Sequence, residues 1–148
     1  MTFQDPNRNR AMPYLAVDGA ADVVAFVQAV FGAQLPWEPL RHDDGSIWYA
    51  ECHIGDSTVM VAEARGFGPY PGFVYLYVED CDATYEKALA HGAESFMPPA
   101  DQFFGDRTAG VRDNAGNIWW MATHQQDLTE SELHARAEVE KTARRRTQ

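Results

Sequence analysis

The stretch YLAVDGAADVVAFVQAVFGAQL, residues 14–35, returns 61 residues later as YLYVEDCDATYEKALAHGAESF, residues 75–96. Each copy starts with a strand-like run, passes through acidic turn residues into a helical pattern, and leaves through Gly-Ala. The apolar positions of the first helix form one stripe, at Val23, Phe26, Val27, Val30 and Phe31. Gly32 and Gly92 stand where a left-handed residue ends a helix. The repeat predicts two related modules.

Each helix is followed by segments that alternate like the strands of a hairpin. They read GSIWYAECHIG and STVMVAEA in the first module, and RTAGVRD and NIWWMAT in the second. The stretch RGFGPYPG between the modules suits neither a helix nor a central strand. We therefore predict an α+β fold with an N-terminal arm at 1–11, a first βαβββ module at 12–65, a linker at 66–72, a second βαβββ module at 73–126 and a charged helix at 127–148. That helix opens with a capping box, TESE from Thr129.

Composition narrows the class of protein. The chain of 148 residues is 45% hydrophobic, enough to bury one core, and its formal net charge is −10. This acidic balance argues against a nucleic-acid partner. No apolar run reaches membrane-spanning length, and MTFQDPNRNR lacks a signal-peptide core, so we expect a cytoplasmic protein without a membrane partner. Cys52 and Cys81 lack the spacing of a metal or redox motif and are expected to be reduced packing residues.

The paired modules, the segment GDRTAGVRDNAGNIWWMATH at residues 105–124 and the trailing charged helix resemble the vicinal oxygen chelate superfamily. This superfamily includes glyoxalase I, bleomycin-resistance proteins and extradiol dioxygenases, and the resemblance is closest to the glyoxalase/bleomycin-resistance branch. It covers Met12 to Thr123. The resemblance implies that the strands of each module curl into a half-barrel and that a small molecule binds in the enclosed space. It also implies a homodimer, the commonest assembly of a soluble domain.

The resemblance further implies where a metal would bind. Metalloenzymes of the superfamily carry His, Gln or Glu at up to four strand positions, which correspond here to Met12, Met60, Phe73 and Trp120. A thioether is a soft ligand, and benzene and indole rings offer no lone pair in the ring plane. We therefore predict no metal, no other cofactor and no catalytic residue.

Neighbouring residues of a strand point to opposite faces, so Trp119 and Trp120 cannot share one core. The strand FVYLYV divides the same way, into an aliphatic face (Val74, Leu76, Val78) and an aromatic face (Phe73, Tyr75, Tyr77). We expect the aliphatic face and Trp119 to be core, and the aromatic face and Trp120 to line the ligand space. The full predicted ligand-binding set is Met12, Tyr14, Tyr49, Glu51, Met60, Phe73, Tyr75, Tyr77, Phe104, Arg107 and Trp120. The alternative is that the aromatic residues fill a second core.

Several polar residues allow more than one interpretation. Arg107 either closes over a ligand carboxylate or stacks on the ligand's ring, or it forms a salt bridge with Asp106 or with a neighbouring module. Glu51 and His53 share a strand face and suit either an acid/base pair or an exposed polar surface. Asp113, before the turn NAG, is expected to cap its own backbone. His42 and His124 are expected to be isolated surface histidines.

The sequence therefore favours a metal-independent protein that binds an aromatic or cationic, drug-like small molecule, with drug sequestration implied by the resemblance. The alternative is a lyase, isomerase or dioxygenase-type enzyme of the same superfamily, acting on a small carbonyl substrate with a divalent metal and with Glu51 or Glu63 as base. A third hypothesis, a scaffold that binds partners through the C-terminal helix, has only that helix to support it.

Overall fold

The computed structural model describes residues 2–147; Met1 and Gln148, the ends of the predicted arm and C-terminal helix, lie outside them. The first module comprises β1 (Tyr14–Val17), α1 (Ala20–Phe31), β2 (Leu40–Arg41), β3 (Ile47–Ile54) and β4 (Ser57–Glu63). The second comprises β5 (Phe73–Tyr77), α2 (Cys81–Ala90), β6 (Glu94–Asp101), β7 (Asp106–Arg112) and β8 (Ile118–His124). The last helix is α3 (Glu130–Arg146).

Each module forms one four-stranded sheet, and the two sheets have the same topology. Their strand orders are β1-β4-β3-β2 and β5-β8-β7-β6. The first strand of each module runs parallel to the last, and the other neighbours are antiparallel. The α+β fold with two βαβββ modules and a C-terminal helix is confirmed.

Strand register shows which residues of the two modules are equivalent. Tyr14 pairs with Met60 in the first sheet, and Tyr75 pairs with Trp120 in the second. Met60 and Trp120 therefore occupy the same place, as the repeat predicted. Met12 does not lie on β1, because the strand begins at Tyr14 and the intervening proline contributes only its carbonyl, which accepts the amide of Met60.

One hydrophobic core joins the two modules. The α1 stripe packs into it, together with the inward residues of both sheets. Trp119 lies in this core with its ring centroid 6.4 Å from Phe26 and 5.4 Å from Phe31, so α1 of the first module packs against β8 of the second. The predicted core position of Trp119 is confirmed.

Backbone groups left unpaired at each end of α1 find hydrogen-bond partners. Gly32 ends the helix at φ 68°, in the left-handed region that favours glycine. The start has no capping side chain of its own, since Gly19 stands there. The carboxylate of Glu63, at the end of β4, accepts the amides of Gly19 and Ala20 instead, each at 2.9 Å.

Three further expectations concern the cysteines, the last helix and membrane-spanning segments. Cys52 and Cys81 are buried free thiols, and burial raises the pKa of each to about 11. Thr129 caps α3 by accepting the amide of Glu132 at 3.1 Å, and no residue of that helix, Glu130–Arg146, is buried. Among residues 2–147, no helix combines the length and apolar character needed to cross a bilayer.

Candidate functional site

The second sheet carries aromatic rings on the face turned away from the helices. We call Phe73, Tyr75, Tyr77, Phe96 and Trp120 the second aromatic face. Phe73 and Tyr77 are 61% and 62% exposed, whereas Val74 and Leu76, which alternate with the aromatic residues along β5, pack against the core. The half-buried Trp120 stacks on Phe73 at 5.9 Å and meets the edge of Phe96 at 6.0 Å. The division of β5 into two faces is confirmed, and β6 adds Phe96, which was not predicted.

Gly110 provides the space in which the Trp120 ring lies. The two residues pair directly between β7 and β8. A Cβ at Gly110 would lie 2.7 Å from Trp120 Cε3 and 3.2 Å from the Phe96 ring. Any larger residue would displace the indole, so glycine is required for a flat ring surface here.

A buried carboxylate lies beside these rings. Asp106 is only 4% exposed, and its Oδ2 accepts the hydroxyls of Tyr75 at 2.6 Å and Tyr77 at 2.9 Å. Its Oδ1 lies 2.9 Å from His124 Nδ1, and the other imidazole nitrogen lies 2.6 Å from Asp127. His124 is therefore held between two acids, and the expectation of an isolated histidine is wrong.

Hydrogen bonding decides the charge of this cluster. Burial alone would raise the pKa of Asp106, but the donors Tyr75, His124 and Tyr77 outweigh burial and lower it. Burial and the bond to Asp106 raise the pKa of the Tyr75 hydroxyl. The bonds to Asp106 and Asp127 raise the pKa of His124. At neutral pH the carboxylate is an anion and the tyrosines remain neutral donors.

The first sheet carries a second group of stacked rings, which we call the first aromatic face: Tyr14, Trp37 and Tyr49. The ring centroids of Trp37 and Tyr49 are 5.5 Å apart, and those of Tyr14 and Tyr49 are 6.4 Å apart. Met60 is half-buried beside Tyr14, as their register requires. Met12 is half-buried in the segment before β1. Trp37, in the connection from α1 to β2, was not predicted.

This face also has a buried carboxylate. Glu51 is 3% exposed and binds the guanidinium of Arg8, with the Tyr49 hydroxyl and His53 Nε2 each 3.3 Å away. Burial alone would raise the pKa of Glu51, but the bonds from Arg8, His53 and Tyr49 lower it. Glu51 is therefore ionised at neutral pH. Arg8 was not predicted, because nothing in the sequence of the arm indicates where the arm lies.

The structure does not bring Arg107 or Phe104 onto either aromatic face. Arg107 follows Asp106 along β7 and so points the opposite way, where its guanidinium binds Asp82 at 3.1 Å and Asp101 at 3.0 Å. The salt-bridge interpretation is correct, but among the described residues the partners are these two acids of its own module, and neither Asp106 nor a neighbouring module is involved. Phe104 lies in the connection from β6 to β7 and meets the edge of Phe103 at 5.3 Å.

Two other acids, Glu63 and Asp113, stabilise the backbone outside the aromatic faces. Glu63 faces the start of α1, as described above, so the hypothesis that it serves as a base at the ligand site is wrong. Asp113 accepts the amides of Ala115 and Asn117 at 3.0 and 2.9 Å, which confirms the predicted turn cap. Its second oxygen accepts the Trp119 indole at 2.8 Å and ties the hairpin to the core.

The residues present do not fit the metal that the superfamily implies. The equivalent positions hold Met12, Met60, Phe73 and Trp120, which offer neither imidazole nor carboxylate. Within the described part of the chain, no three His, Cys, Asp or Glu side chains are grouped so that they could hold an ion.

Two repeated βαβββ modules, each with a four-stranded sheet of the same strand order, define a vicinal oxygen chelate fold. The chain belongs to the Glyoxalase/Bleomycin resistance protein/Dioxygenase superfamily, whose family model matches residues 7–121. TioX from Micromonospora sp. ML1 is similar in structure, with a TM-score of 0.65 and 26% identity over 78% of this chain and 98% of that one. PA1353 from Pseudomonas aeruginosa gives a TM-score of 0.62 at 22% identity over 80% and 99% of the two chains.

The sequence is also similar to an uncharacterised mycobacterial protein. This protein, Rv0887c of Mycobacterium tuberculosis (strain ATCC 25618 / H37Rv), is 29% identical over an alignment 135 residues long that covers 83% of this chain and 79% of the relative.

Proposed function

We propose that this protein binds, without a metal, a small molecule that carries both a planar aromatic group and a cationic group. The observation that supports this is a buried, ionised carboxylate beside exposed rings on each sheet: Glu51 on the first and Asp106 on the second. Aromatic faces attract cations, and a carboxylate in a low-dielectric setting strengthens that attraction. Drug sequestration is the role that we propose for such a ligand, by analogy with the bleomycin-resistance members of the superfamily.

Ring exposure argues against the alternative that the aromatic residues are only a second core. A core ring of this size would be nearly fully buried, yet Phe73, Tyr75 and Tyr77 are each exposed. A contiguous exposed aromatic surface marks a place where something binds. The same exposure supports the homodimer, in which a second copy would cover these surfaces and enclose the ligand.

The enzyme alternative has weaker support. Since Glu63 caps α1, the base that remains from that alternative is Glu51, with His53 beside it on the same strand face. Glu51 is already bound to a guanidinium, which suits recognition of a cation better than removal of a proton.

The decisive experiment compares dyes of opposite charge. Proflavine, a planar cation, should quench tryptophan fluorescence and saturate, whereas the planar anion fluorescein should bind at least about tenfold more weakly. Asp106→Asn should weaken proflavine binding by about tenfold, because the substitution removes the negative charge and keeps the shape of the side chain. The matched control is Asp82→Asn, an exposed acid on the opposite side of β7, which should bind as wild type. Equal binding of both dyes, or of neither, would overturn the proposal.

The metal-independent part is tested separately. Protein purified without chelator should contain far less than one equivalent of Ni, Zn, Mn or Fe by elemental analysis, and proflavine binding should survive chelator. About one tightly held ion per chain would refute it and favour the enzyme. Sedimentation at tens of micromolar should show a dimer, and a monomer would refute that part.

A further inference from the structure

The N-terminal arm carries a cation into the first aromatic face. Arg8 lies before β1, and its guanidinium binds the buried Glu51 while its own side chain stays 32% exposed. Asn9 holds the arm in place, since its side chain accepts the amide of Thr58 at 3.0 Å and donates to the carbonyl of Asp56 at 3.3 Å. The arm is thus attached at its edge and reaches inward with one charged group.

The space around this ion pair is larger than the pair requires. A cavity of about 470 Å³ lies between the arm and the sheet, a volume within the range of small-molecule sites. The arm contributes Asp5, Asn7 and Arg8, and the opposite side consists of Pro36, Trp37, Glu51 and His53. Trp37 stacks on Tyr49, whose hydroxyl reaches the same carboxylate, so a planar aromatic wall stands next to the anion.

We propose that Arg8 is an internal occupant of a binding site for planar nitrogen cations, and that a ligand amidinium or guanidinium displaces it from Glu51. This inference rests on the proposed function and names the class of cation that the first aromatic face takes. A guanidinium is planar, presents a fork of donors that matches a carboxylate, and stacks on aromatic rings. An ammonium is a compact, strongly hydrated charge, so it can pair with the carboxylate but cannot stack on the aromatic rings as a planar cation does.

An internal competitor lowers the apparent affinity in proportion to the fraction of time that the site is open. The Arg8 side chain is only partly buried, so the ion pair falls between an exposed pair and a fully desolvated one. Releasing it should therefore strengthen ligand binding by about fivefold to tenfold.

The test is calorimetric titration of the full chain with benzamidine, a planar aryl amidinium, and with benzylamine, an aryl ammonium. Arg8→Gln should bind benzamidine about fivefold to tenfold more tightly than wild type, with a smaller gain for benzylamine. Arg10→Gln is the matched control, because Arg10 lies on the same arm over the Phe3 ring, and it should bind as wild type. Glu51→Gln should lose benzamidine binding in either background.

A second measurement guards against an effect of the substitution on folding. The Trp37 indole NH resonance of the wild-type protein should shift and saturate with benzamidine. Arg8→Gln binding benzamidine no better than wild type, Glu51→Gln binding it normally, or an unchanged Trp37 resonance would each overturn the inference. If the benzamidine results go against the inference while proflavine binding still depends on Asp106, this inference is wrong and the proposed function stands. If both fail, the proposed function is wrong as well.

Discussion

Replacing Trp119 and Trp120 in turn separates the packed side of β8 from the binding side. Trp119 is 0% exposed and packs between two phenylalanines, so its truncation to alanine should cost about 3 to 5 kcal/mol. The loss should fall at the upper end, because Asp113 also loses its indole donor. Trp120 is half-buried between Gly110 and Phe73, and its truncation opens no closed void, so about 1 to 2 kcal/mol is expected.

Urea denaturation followed by circular dichroism measures both losses on one scale. A domain of this size is stable by only about 5 to 15 kcal/mol, so the two variants should be easy to tell apart. Trp119→Phe keeps most of the packing and should cost about 1 to 3 kcal/mol, which isolates the hydrogen bond and part of the volume. Proflavine binding should persist in Trp119→Phe and fall about tenfold in Trp120→Ala.

The outcome that would refute this reasoning is equal, large destabilisation by Trp119→Ala and Trp120→Ala with proflavine binding untouched. Both tryptophans would then be packing residues, and the second aromatic face would be a second core.

Three further changes test single contacts. Glu63→Ala should cost about 1 to 2 kcal/mol by uncapping α1 and leave proflavine binding intact; weaker binding would return Glu63 to the ligand site. The pKa of His124 is raised above 6.5, so the stability that its pairing with Asp106 adds is fully present below pH 6.5 and is lost as the pH rises through the raised pKa. The difference in Tm between wild type and His124→Gln should therefore shrink from about pH 6 to about pH 9. A constant difference would contradict this. Gly110→Ala should cost about 1 to 3 kcal/mol by displacing the Trp120 ring, and adding Trp120→Ala should remove most of that penalty; simple additivity would show that the ring does not rest there.

The repeat and the alternation of side chains predicted most of the fold, because both depend on local geometry. A strand turns each residue to the face opposite its neighbour, so the separation of Trp119 from Trp120 follows from the sequence alone. The equivalence of Met60 and Trp120 followed from the offset between the two copies and is visible in the register.

Glu51 was predicted, but the other charged residues of the site and Trp37 were beyond such reasoning. Arg8 comes from an arm and Trp37 from a connection, and neither has a periodic pattern that fixes where it lies. The role of Asp106 depends on two hydroxyls from a strand that is distant in sequence. Alternation along β7 places Arg107 on the face of the sheet that Asp106 does not share, a signal that was present in the sequence but not used.

Among the differences between the two modules is one pair across neighbouring strands: Glu51 opposite Met60 in the first corresponds to Gly110 opposite Trp120 in the second. In a two-fold assembly that difference becomes a matter of how many affinities one ligand shows. Where unlike modules meet, two identical chambers form, and two ligands bind each dimer with a single affinity. Where like modules meet, each chamber lies on the symmetry axis and the chambers are chemically distinct, so a ligand is held once per dimer in each with its own affinity. Both arrangements hold two ligands per dimer, so the number of distinct affinities in a titration, one or two, reveals how the subunits pair.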